Sequence, residues 1–180
     1  AREKLTLAVR QLVEAPLDIN DDLNLTVTDL HAQTRRLQEK RGALGLILID
    51  DLQMIEQDNP GNNRMTTVDR IMRSLKLLAR EMYAPVIVLS QVSQRAEQRA
   101  NKRPLLADLP AAGAIEQHAD VVLFIYRSEV YDPDSPERGI ADINIAKQRN
   151  GPIGTVKLAF QDEYLRFGNL AFGYDEDFDD

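Results

Sequence analysis

The chain contains no cysteine. Neither a disulfide framework nor a thiolate zinc site can be built, which suits a reducing compartment. Histidine is almost as scarce, with only His31 and His118 and no H-E-x-x-H pair, so a histidine metal centre is not expected. No stretch of 18 or more apolar residues occurs and no basic-then-apolar leader opens the sequence. Neither a membrane span nor a signal peptide is expected, and the cytosol is the expected compartment. The nine glycines nowhere form G-x-x-x-x-G-K-[ST]. That removes the backbone N–H groups and the lysine that cradle the β- and γ-phosphates of a nucleotide, so the chain on its own is not expected to bind ATP well.

What is present is the composition of a globular domain, 43% apolar and 28% charged over 180 residues. A chain of that length buries roughly 70% of its unfolded surface. The net charge of −7 is unevenly placed: "DEDFDD", Asp175 to Asp180, holds five acids and no base, and setting those aside leaves −2 on residues 1–174. The acidic end, within a tail at 170–180, is expected to stay solvated and disordered. Conversely "QVSQRAEQRANKR", Gln91 to Arg103, has four bases against one acid, a local positive stretch that the total conceals.

Apolar residues Leu5, Ala8, Val9, Leu12 and Val13 recur at helical spacing before Pro16, and a second helical pattern runs from Val27 to Arg41 with Gly42 at its end. "LGLILIDD" and "APVIVLSQ" read as strands, each a continuous apolar run of the kind covered on both faces. A polar loop, Gln57 to Arg64, and then Val68, Ile71, Leu75, Leu78 and Met82, stepping by three and four, make the connection a helical crossover between parallel strands. Gln91 to Asp120 is long, polar and irregular, which for a connection marks function or mobility. Val121 to Tyr126 restores a buried strand, with Phe124 in the core. Two alternating strands around Asn150-Gly151-Pro152 form a hairpin whose loop carries Lys147 and Arg149.

A buried strand that ends on Asp50 and Asp51 places carboxylates at the carboxyl edge of an open α/β sheet, where such folds bind ligands. One carboxylate there suits a hydrated Mg²⁺, although an aspartate after a strand also serves simply as a turn starter or helix cap. Ser90 and Gln91 end the next strand, and a glutamine beside Asp50 can bond a terminal phosphate or its attacking water.

The blocks "LILIDDLQMI", "RSLKLLAREMYAPVIVLSQ", "EQRANKRPLLADL", "GAIEQHADVVLFIYRSEVY" and "IAKQRNGPIGTVKLAF" together resemble the RecA-like C-terminal motor of the DnaB-type replicative DNA helicases, in unbroken order from about Leu5 to Asn169. The resemblance implies an α/β, RecA-like fold with a mostly parallel sheet, flanking helices and a C-terminal antiparallel hairpin, incomplete because its N-terminal part is not in this chain. Residues 1–169 are then the distal part of the ATPase domain of a longer protein, or of one completed by a second chain.

That resemblance also implies roles. Asp50 matches the Walker B aspartate that holds magnesium-bound water, and Gln91 the glutamine that senses the γ-phosphate. Lys147 and Arg149 are similar to a basic pair that reaches the nucleotide of the next subunit, Arg149 as arginine finger. Gln91 to Asp120 corresponds to loops facing single-stranded DNA, where Arg95, Arg99, Lys102 and Arg103 and the backbone of Gly113 and Ala114 are candidate phosphate contacts. "LPAAG" stands where the family usually reads "L-R-E-S-G", so Pro110 and Ala111 replace an arginine and a glutamate. The implied cofactors are ATP and Mg²⁺. The implied partners are single-stranded DNA, further copies of the chain in a hexamer, a primase and a helicase loader. Two other readings stay open: a RadA-type repair ATPase, and a fragment without catalysis that serves assembly or partner binding.

Overall fold

The computed structural model describes residues 2–22, 25–55 and 64–170, the side chains of residues 64–66 excepted. Of the loop expected at Gln57 to Arg64, residues 57–63 lie outside the described residues, as does the acidic tail beyond residue 170, while Arg64 already begins a helix. Among the described residues, four helices and six strands follow in the order α1 (Arg2–Glu14), α2 (Val27–Arg41), β1 (Ile47–Ile49), α3 (Arg64–Met82), β2 (Val86–Val88), α4 (Ala112–His118), β3 (Val121–Tyr126), β4 (Ile140–Gln148), β5 (Gly154–Gln161) and β6 (Arg166–Gly168). Short 3₁₀ turns punctuate the connections.

Local chemistry sets the helix ends. Thr26 caps α2 by accepting from the Asp29 N–H at 3.1 Å, while the Asp29 carboxylate accepts from the Thr26 hydroxyl and backbone. Gly42 closes the same helix at φ +88°, a conformation that favours glycine, and its N–H donates to the Gln38 carbonyl.

Two sheets form. β1 and β2 pair in parallel with Ile49 beside Val88, joined by α3 as the crossover. β3 to β6 make a four-stranded antiparallel sheet in sequence order. The α/β class and the hairpin stand as expected, but the balance differs: β3 pairs with β4 instead of extending the parallel sheet, and β6 had no sequence signal.

The core lies on one side of these strands. Val68, Ile71, Leu75, Leu78 and Met82 of α3 meet Leu30 of α2, Ala114 and Ile115 of α4 and Val122 and Phe124 of β3. Burying each large apolar side chain contributes about 1.5–3 kcal/mol, which makes α3 the spine of the fold. The expectation that the apolar strands are covered on both faces is corrected. Leu48 is 60% exposed, Ile87 48% and Leu123 54%, because α2, α3 and α4 all pack on the same side. Helix α1 forms as its periodicity predicts, yet none of its residues is buried.

Candidate functional site

The register Ile49 to Val88 brings Asp50, Asp51, Ser90 and Gln91 to one end of the parallel pair, and the Leu52 N–H, donating to the Leu89 carbonyl at 2.8 Å, closes it. The two aspartates, joined by a cis peptide bond, then diverge. Asp51 caps the 3₁₀ turn Leu52–Met54, its Oδ1 accepting from the Gln53 N–H at 3.0 Å, and its Oδ2 accepts from Gln91 Nε2 at 2.8 Å. Asp50 is exposed, and among the described residues its carboxylate has no hydrogen-bond or ion-pair partner. Gln91 therefore bonds Asp51 and not Asp50, and the Gln53 amide sits 3.3 Å from the Ser90 hydroxyl. The result is one carboxylate held by the fold beside another that faces outward.

The basic pair sits elsewhere. β4 carries Lys147 over the carboxyl end of α4, where its Nζ donates to the Ala119 carbonyl at 2.8 Å and to that of Glu116. Arg149 donates through Nη2 to the Gln117 carbonyl at 2.8 Å, and its Nε lies 3.1 Å from Asp120 Oδ1. The Arg149 N–H also donates to the Asp120 carbonyl at 3.0 Å, tying the strand end to the turn that follows α4. Cations over the last turn of a helix meet the negative end of its dipole and carbonyls without intrahelical partners. Within the protomer, then, both cations are seated on their own α4, with half of the Arg149 side chain still open to solvent.

The basic segment after β2 is more constrained than its composition suggests. Arg99 makes a two-pronged ion pair with Asp108, both contacts at 2.7 Å, and also bonds the Arg103 carbonyl. That guanidinium, with the Leu105 N–H, holds the Asp108 carboxyl below its usual range against the opposing effect of burial. Arg103 pairs with buried Asp142 of β4 at 2.6 Å and stacks on Tyr126, while Lys102 lies over Tyr131. Arg95 is exposed, with no side-chain partner among the described residues. Gly113 is exposed at the start of α4, whereas Ala114 is buried and its N–H donates to Ala111 at 2.9 Å. The expected phosphate donors are thus unequal: Arg95 and Gly113 are open, Lys102 is half-buried, and Arg99, Arg103 and Ala114 are engaged internally.

The model of the DnaB-like helicase C-terminal domain matches residues 1–169. The chain belongs to that family. It is 49% identical over 174 residues to the replicative DNA helicase DnaB of Geobacillus stearothermophilus, and 46% identical over 174 residues to the replicative DNA helicase DnaC of Bacillus subtilis (strain 168). Each alignment covers 96% of this chain and 38% of the relative, so the chain spans well under half of those proteins. Among solved structures it superimposes on a chain described as an ATPase domain with a TM-score of 0.88 at 39% identity, covering 94% of this chain and 60% of that one. A DnaB-like replicative helicase described with its interactions with primase gives the same TM-score and identity, with 41% of that chain covered. The RadA-type reading is not favoured.

Within this DnaB-like domain, sequence reasoning pointed to the sheet end where the fold gathers Asp50, Asp51 and Gln91, but missed three working groups. Asp51 as cap was hidden by its twin, although an Asp before a short turn is itself a cap signal. Asp120, partner of Lys76 and Arg149, and Asp142, partner of Arg103, lie 44, 29 and 39 residues from those cations, beyond any local pattern.

Proposed function

We propose that this DnaB-like chain is the distal part of an ATP-driven replicative DNA helicase motor that works as a ring, hexameric by the family's pattern, and moves on single-stranded DNA. The observation that carries the reading is the division of labour between the two aspartates. Asp51 is used by the fold and locks Gln91, which leaves Asp50 outward and, among the described residues, unpaired at the carboxyl edge of the sheet. An exposed carboxylate with oxygen-only chemistry fits a magnesium ion that keeps most of its waters. Such an ion, bound with ATP, neutralises charge on the terminal phosphates. Asp50 then orients bound water and Gln91 reports on the γ-phosphate through Asp51. Arg149 and Lys147 act from one protomer on the nucleotide of the next, where a guanidinium can spread over the transferring phosphoryl oxygens.

On this reading the isolated chain has negligible ATPase, since it brings no phosphate loop. Arg95, Lys102 and Gly113 face DNA, while Arg99, Arg103 and Ala114 hold the DNA-facing segment in shape. A primase and a loader are the further partners proposed for the complete motor. Joining the chain to the upstream part of its ATPase domain should give DNA-stimulated ATP hydrolysis. Arg149→Ala in that motor should abolish turnover and leave ATP binding intact. Loss of binding and turnover together would contradict a role across the subunit boundary.

A further inference from the structure

Asp120 faces two cations from different elements. Lys76 of α3 pairs with its Oδ2, and Arg149, just beyond β4, pairs with its Oδ1. The same carboxylate thus sits between the central helix of the fold and the strand end that bears the proposed finger. Its backbone carbonyl also takes the Arg149 N–H, and the Gln117 carbonyl one turn earlier takes the guanidinium. We infer that Asp120 is a positioning residue that parks Arg149 on its own protomer, so that finger engagement across a ring interface is an exchange of one anion for another. The inference rests on the proposed role of Arg149.

Three features give the parking contact the properties of an exchangeable one. All three side chains are between about two-fifths and just over half exposed, so the pair is screened by salt and weak beside a multiply charged phosphate. Lys76 competes with Arg149 for Asp120 and lowers its hold. The Arg149 N–H, donating to the Asp120 carbonyl, keeps the strand end beside the turn after α4 while the guanidinium leaves.

The test uses the 180-residue chain and an arginine-specific dicarbonyl reagent, phenylglyoxal, with modification read at each arginine by peptide mass spectrometry. Asp120→Asn should speed Arg149 modification about threefold, while Arg95, exposed and without a side-chain partner among the described residues, serves as the internal reference and stays constant. Lys76→Met should act in the opposite direction and slow Arg149, because Asp120 then serves a single cation. An unchanged Arg149 rate in Asp120→Asn, or a faster one in Lys76→Met, overturns the parking role. In the completed motor, Asp120→Asn should raise DNA-independent ATP turnover severalfold and lower KM, effects that general loosening of the fold would not produce. If Arg149→Ala leaves turnover intact, the finger reading fails while the labelling result still decides the parking contact.

Discussion

At the residue scale, two adjacent identical side chains separate into a structural and an outward-facing role by geometry alone. Asp51 supplies a cap and a partner for Gln91; Asp50 supplies neither. Asp51→Ala should therefore lower the stability of this chain by about 1 kcal/mol, the usual loss of an N-cap. Asp50→Ala should stay within about 0.5 kcal/mol, as an exposed substitution does. Urea denaturation of the two variants checks the order, and equal losses would return both aspartates to a capping role. In the completed motor the ranking should invert, with Asp50→Ala the one that abolishes hydrolysis. The resemblance assigned the magnesium role to Asp50, but no local pattern showed that it is the Asp51 carboxylate that turns toward the Gln53 N–H.

At the scale of elements, the segment from Ser90 to Leu109 is a loop fixed by ions. Asp108 is held below its usual pKa chiefly by the Arg99 hydrogen bonds, and Glu129 below its own by Arg127, with the Gly139 N–H next. A carboxylate depressed in the folded state binds fewer protons there than in the unfolded chain. Its contribution is present above the ordinary carboxylate pKa of about 4 and is lost as pH falls below that toward the folded value. The melting temperature should accordingly drop as the pH falls below about 4, and Asp108→Asn should make that drop shallower. Parallel slopes for parent and variant would show that this pair does not govern acid stability. Composition revealed the positive stretch but not its engagement, since an acid nine residues on and another in β4 neutralise it only once the chain has folded. Helices α1, α2 and α3 were legible because a 3.6-residue period is a local property. β6, three residues after Leu165 at φ +49°, carries no period to read.

For the whole molecule, the open strand face carries the most consequence. "LILI" and "VIVL" read as strands covered on both sides, yet Leu48 and Ile87 meet solvent, as do the periodic apolar residues of α1. The apolar pattern of these segments exceeds what the fold of this chain buries. The relatives extend well beyond the matched region, and even of the solved ATPase-domain chain only 60% is matched, which leaves enough to supply a covering layer. Leu48, Ile87 and Leu123 are each about half exposed or more on the strand faces turned away from α3. Leu123→Thr should then cost less than about 1 kcal/mol in the isolated chain, because its side chain is already half in water. Phe124→Ala, one residue on but facing the core, should cost about 3–5 kcal/mol. The isolated chain should bind the dye 8-anilinonaphthalene-1-sulfonate; in the chain joined to its upstream part, that fluorescence should fall and Leu123→Thr should become as costly as a core substitution. Should the joined protein bind the dye as strongly, and tolerate Leu123→Thr as well, as the isolated chain does, the face is covered by something other than the rest of its own domain.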